Sequence, residues 1–177
     1  MTSLDGVQIK TALAIFPSRE GFGWIVFDGP VSPVDWGVSM AARKAGTPDE
    51  KNARVMKRVE SLMKEYRPGA VALEAFEGAG TRRSMRIKRF CRSVVALAAV
   101  HGIQVRVIHR DQIARCFASS RAKTRHAVAT VVASFLPEIR RRLPQKRRAW
   151  DTEFPDMALF NAAALLLVHY ANPEQPL

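Results

Sequence analysis

Apolar residues recur along the 177-residue chain with two different periods, and the switches between them outline its elements. Residues 7–16 turn more apolar as they proceed and stop at Pro17-Ser18, which predicts a central strand. Residues 21–28 are aromatic and β-branched and end before Gly29-Pro30, and residues 34–38 follow one more proline turn. Three short runs at this spacing predict an antiparallel meander. The period then changes. Thr47-Pro48-Asp49-Glu50 combines a Thr cap, a proline at the first helical position and a glutamate completing a capping box. Val55, Met56, Val59, Leu62, Met63 and Tyr66 continue it as a helical stripe. Pro68-Gly69 turns the chain into residues 70–74, an apolar run that ends on Glu74 and reads as a strand buried on both faces.

Gly78-Ala79-Gly80 carries the chain away from that strand. Residues 82–101 predict a second helix, with Ile87, Phe90, Cys91, Val94 and Ala98 on one face and arginines crowding its first half; Gly102 closes it. Residues 103–108 alternate as a strand, 111–117 form a short helix, and 118–124 a polar, basic loop. Val128, Val131, Val132 and Phe135 mark a helix over 125–135, broken by Pro137. Residues 138–148 carry two basic triplets, and 155–171 form a helix too apolar all round for a surface position, so it should lie on the sheet. The order βββαβαβααα predicts an α/β fold: one domain over residues 1–177, with a mixed five-stranded sheet and helices on both faces.

Composition changes this picture at one point. The 47% apolar and 25% charged residues suit an ordinary water-soluble domain, and no stretch is apolar for long enough to span a bilayer. Cys91 and Cys116 lack metal-ligand spacing and read as buried thiols of a reducing compartment, the cytoplasm by default. The charge is less ordinary. Residues 1–80 hold ten Lys/Arg against ten Asp/Glu, so the whole net charge of +12 lies in residues 81–177. A neutral half followed by a basic half suits a nucleic-acid partner. Arg82, Arg83, Arg86 and Arg89, with Arg121, Lys123 and Arg125, are the candidate phosphate contacts; reversing Arg82, Arg83 and Arg86 should weaken binding and flatten its salt dependence.

Glu74 is the candidate centre, because open α/β sheets bind ligands beyond the carboxyl ends of their strands. Carboxylates on strands 1 and 4 and on the last helix of such a sheet converge on one point. There they can hold a divalent pair that activates water against a phosphodiester. Glu153 and Asp156 lead into the last helix and are candidates to join Glu74 as metal ligands. His109, at a strand end, is the histidine nearest such a site; Trp24, Trp36 and Trp150 read as core or interface residues. No Gly-rich phosphate loop or Ser/His/Asp arrangement points to a small-molecule substrate.

Five segments, in order, resemble the RuvC family of Holliday-junction resolvases, which have an RNase H-like fold. They are residues 14–23, like the family's first strand and turn; 71–76, like the strand that carries its glutamate; 93–105, like the helix-to-strand passage; 123–136, like its lysine-containing helix; and 161–169, like its closing Asp-Ala-rich helix. The resemblance implies a Mg²⁺- or Mn²⁺-dependent endonuclease for branched DNA that works as a homodimer. The chain departs from the pattern where the chemistry is concentrated. Phe16 stands at the first-strand aspartate, Asn161 at the final aspartate, and Ala158 three residues before it. Glu74 alone is retained without realignment; Glu153 and Asp156 are nearby substitutes, and Asp28 and Asp35 are candidates to replace the first ligand in part. Two functions follow: a nuclease using Glu74, Glu153, Asp156 and Asn161, or a resolvase scaffold that grips branched nucleic acid without cutting it.

Overall fold

A computed structural model of the chain describes residues 11–41 and 46–171. Strands β1 (Ala12–Pro17), β2 (Gly21–Phe27) and β3 (Pro33–Met40) form the meander, with β1–β2 and β2–β3 antiparallel. Helix α1 (Pro48–Tyr66) crosses to β4 (Ala70–Glu74), parallel to β1, and α2 (Met85–Val100) crosses to β5 (Gln104–Ile108), parallel to β4. The remaining helices are α3 (Arg110–Cys116), α4 (Arg125–Phe135) and α5 (Asp156–Ala171), with single 3₁₀ turns at Ala118–Ser120 and Arg140–Arg142. The sheet order is β3-β2-β1-β4-β5. This is the mixed five-stranded sheet that the sequence predicts, covered by helices on both faces.

Side-chain alternation along the central strands divides the core in two. Leu13, Ile15, Val71 and Leu73 point to one face and pack on Val59, Leu62, Phe90 and Val94 of α1 and α2. Ala12, Ala14 and Ala72 point to the other, where α5 lies with α4. Those alanines, with Gly23, let α5 settle close to the sheet: a Cβ at Gly23 would overlap the carbonyl carbon of Ala158. With the sheet beneath it and α4 over it, α5 buries eleven of its sixteen residues, which accounts for its unbroken apolar run. No helix among the described residues is long and apolar enough to cross a membrane.

The predicted capping box of α1 is present: Thr47 Oγ1 accepts from the Glu50 amide at 3.3 Å, and Glu50 Oε2 accepts from the Thr47 amide at 3.2 Å. The start of α2 is different from the sequence reading. Ser84 caps it by accepting from the Ile87 amide, so the helix begins at Met85 and Arg82 and Arg83 lie in the preceding loop. Residues 7–10, the start of the first predicted strand, lie outside the described residues; the described strand begins at Ala12.

Candidate functional site

Glu74 is the last residue of β4, and its side chain is only 6% exposed. The ladder pairs Ala12 with Ala70 and Ala14 with Ala72, so the same register carried two residues further sets Phe16 beside Glu74 on the α5 face. Asn161, one turn into α5, is buried against the same place. Phe16, Glu74 and Asn161 together line a cavity of about 400 Å³. The three positions converge as the sequence predicts, and around them the charge is inverted.

Three arginines surround the carboxylate. Arg83 is ion-paired to Glu74 Oε2, Arg125 Nη2 stands 3.4 Å from the same oxygen, and Arg110 Nε is 3.8 Å from Oε1. Arg83 reaches it from the loop after β4. There Gly78 (φ 98°) and Gly80 (φ 89°) adopt the left-handed backbone that glycine takes without strain, and the Thr81 hydroxyl bonds back to the Gly78 carbonyl at 2.9 Å. Arg125 is the first residue of α4, whose cap is the Thr124 hydroxyl accepting from the Ala127 amide at 3.1 Å. Arg110 opens α3, immediately beyond β5.

Phe16, at the position where the resemblance implies an aspartate, has a packing part in this arrangement. The guanidinium carbons of Arg83 and Arg125 lie 5.1 and 5.0 Å from its ring centroid, within cation–π range. The ring seats two cations. Burial, with Arg125 and then Arg110 as like charges nearby, lowers the pKa of Arg83; burial also lowers that of Arg125. Cys91, behind Arg83, supplies no counter-charge, because burial pushes its thiol up to about 12. Three guanidiniums against one carboxylate leave the centre with a surplus of two positive charges. Glu153, exposed on the loop before α5, offsets this only through space.

The proposed metal ligands are not brought together. Asp156 is ion-paired with Arg142 of the second 3₁₀ turn, which holds it at the mouth of α5 and away from Glu74. Asp28 accepts from the Thr11 hydroxyl at 3.1 Å, and Asp35 accepts from the Tyr66 hydroxyl and the Trp36 amide, so both are engaged elsewhere. Among the described residues no group of three or more His, Cys, Asp or Glu side chains could hold a metal ion. Hard divalent cations need several oxygen donors with negative charge, and three guanidiniums beside the one buried carboxylate repel them. The residues present do not fit a Mg²⁺ or Mn²⁺ pair.

The predicted phosphate contacts separate into groups. Arg82, Arg83 and Arg125 border a second cavity of about 620 Å³ on the outer side of Glu74, and Lys123 borders the inner one. Arg86 and Arg89 face a neighbouring groove of about 730 Å³ beside the β1–β2 turn, where Arg86 Nη2 donates to the Ser18 carbonyl at 2.7 Å. Arg121 closes the first 3₁₀ turn and is exposed. His109 serves as the cap position of α3, its amide donating to Gln112 Oε1 at 2.7 Å. Trp24 is buried and Trp36 packs on the α5 side of the core, whereas Trp150 is 77% exposed with the Arg148 guanidinium 5.8 Å from its ring. Arg110 was missed in the sequence, although it lies two residues past the end of β5, where the strand-exit rule directs attention.

No protein-family model matches the chain, and no curated protein matches it. Solved structures do. Thermus thermophilus RuvC superposes with a TM-score of 0.68 at 20% identity, covering 94% of this chain and 99% of that one. The T. thermophilus RuvC structure in complex with Holliday junction substrate gives 0.66 at 21% identity, with the same two coverages. The yeast mitochondrial Holliday junction resolvase Ydc2 gives 0.61 at 12% identity, over 90% of this chain and 76% of that one. The fold is that of RuvC, as the resemblance implies.

Proposed function

We propose that the chain is a structure-specific DNA-binding protein on a RuvC scaffold, holding branched DNA without metal-dependent cleavage. The observation that carries this reading is the replacement of a carboxylate cluster by Arg83, Arg110 and Arg125 around Glu74, at the centre of the face. The fold supports it, since a structure sharing that fold is a complex with Holliday junction substrate. So does the charge: the surplus of +12 falls wholly in residues 81–177, which supply Arg83, Arg110 and Arg125. Arg82, Arg121 and Lys123 extend the basic surface along the DNA, and the open ring of Trp150 offers a stacking surface for an unpaired base. A four-way junction has two-fold symmetry, so the working unit is a homodimer of this single RNase H-like domain. The free thiols of Cys91 and Cys116 suit a reducing compartment such as the cytoplasm.

The test is to titrate a labelled four-way junction with the protein in EDTA against unlabelled linear duplex, then to add Mg²⁺ or Mn²⁺ and resolve the strands. Expected are tight binding that duplex competes for poorly, and intact strands in either metal. Cleavage that a Glu74→Gln variant abolishes would make the protein a nuclease instead. Equal affinity for junction and duplex would remove the structure specificity.

A further inference from the structure

A cluster with surplus positive charge around a buried carboxylate calls for an anion. A second, independent observation points the same way. Asn161 is 8% exposed, and its Nδ2 amino group has no hydrogen-bond partner among the described residues although it is buried. A buried donor left unmade is costly, so such atoms usually wait for a ligand or water. Asn161 borders the cavity that Phe16, Glu74, Arg110 and Arg125 line, where an acceptor between it and those two arginines would satisfy both, with Arg83 reaching the same Glu74 carboxylate from the adjoining cavity.

We infer that Arg83, Arg110, Arg125 and Asn161 form a metal-independent cradle for one phosphate group, with Glu74 as its resident counter-ion. The inference rests on the DNA-binding reading above and names what that site takes: a backbone phosphate at the branch point, received by guanidinium and amide N–H donors. Guanidinium forks match phosphate oxygens two at a time, which a metal-free centre can exploit. Phe16 keeps Arg83 and Arg125 side by side and Glu74 draws them to one point, so little side-chain freedom is lost when the anion arrives. Arg110, 76% exposed, closes from the solvent side. Glu74 also competes with the anion for the same donors. Its charge should therefore weaken binding, the reverse of what a metal ligand does.

The experiment is a calorimetric titration of the full chain with inorganic phosphate in metal-free buffer, beside the four-way junction in the same buffer. The wild type should bind one phosphate saturably. Glu74→Gln, which keeps shape and removes the charge, should bind it about tenfold more tightly. Arg83→Gln with Arg125→Gln should weaken it at least about tenfold. Because those two side chains are partly buried, Arg110→Gln serves as the variant that leaves packing untouched, and it should also weaken phosphate. Arg141→Gln, on the second 3₁₀ turn, should change nothing. Phosphate affinity that is absent, indifferent to Arg110, or lower in Glu74→Gln overturns the cradle. Junction binding that persists without a phosphate site leaves the DNA reading standing alone, and a phosphate site without junction binding leaves the cradle but removes the DNA reading.

Discussion

Phe16 decides what Glu74 is for. An aspartate at this position would add a second carboxylate beside the first; the ring instead seats two guanidiniums within 5.1 Å of its centroid. Phe16→Leu keeps most of the apolar volume and removes the π-face. It should cost about 1–3 kcal/mol in chemical denaturation, from the absence of both cation–π interactions and from imperfect repacking. It should also weaken junction binding by releasing Arg83 and Arg125 from their common seat. A denaturation midpoint and affinity equal to wild type would show the ring to be mere filling. At this scale the sequence was legible where one rule sufficed. The end of an apolar strand pointed to Glu74, and alignment to the resembling family pointed to Phe16 and Asn161. It was not legible where several distant residues cooperate. Asp156 looked free because its partner, Arg142, lies in a basic triplet that reads as a loop. Arg83 looked like one surface arginine among six until Ser84 proved to be the cap and the loop glycines turned Arg83 inward.

Among the elements, α5 carries Asn161 to the site, and two measurements probe how it is seated. It reaches the sheet through Gly23, and Gly23→Ala would press a methyl group against the backbone of Ala158. Backbone cannot swing away as a flexible side chain can, so the substitution should cost about 2 kcal/mol or more and lower the melting temperature. An unchanged melting temperature would mean that α5 has slack over β2. Near the other end of α5, burial and the neighbouring charge of Arg106 lower the pKa of His169 below the ordinary 6.5. Between that folded value and 6.5 the unfolded chain binds a proton that the folded chain does not, so acidification favours unfolding. Stability should fall as the pH drops below 6.5 and level off beneath the folded value. The slope should stay under about 1.4 kcal/mol per pH unit, the ceiling for one titrating proton. His169→Gln should flatten that part of the curve; an identical curve in the variant would assign the acid response to other groups. The all-apolar pattern announced α5 as buried against the sheet. The closeness of its approach was written only in Gly23, whose meaning depends on which residue stands above it.

On the whole molecule, Arg82, Arg83, Arg110, Lys123 and Arg125 of the basic half gather around the exit of β4, and that surface sets how binding responds to salt. Each phosphate that the protein no longer neutralises should make the slope of log affinity against log salt shallower by about 0.9. Arg82, Arg86 and Arg89 lie outside the ring on Glu74, so reversing these three to glutamate tests the surface while sparing the centre. Junction affinity should fall and the slope should drop by about 2–3. An unchanged slope would move the DNA path away from the loop before α2 and its first turns. The mixed five-stranded sheet and the neutral-then-basic split were both readable in advance, since they follow from segment order and composition. Their consequence at the centre was not, because charge inversion is a property of packing.

The claim that guanidiniums stand where metal would is tested most directly by junction affinity, measured in EDTA and in Mg²⁺ at matched ionic strength, for the wild type and Glu74→Gln. The account predicts that metal leaves wild-type affinity unchanged and that the variant binds more tightly in both buffers. A wild type that binds only with Mg²⁺, together with a Glu74→Gln variant that loses that binding, would contradict it.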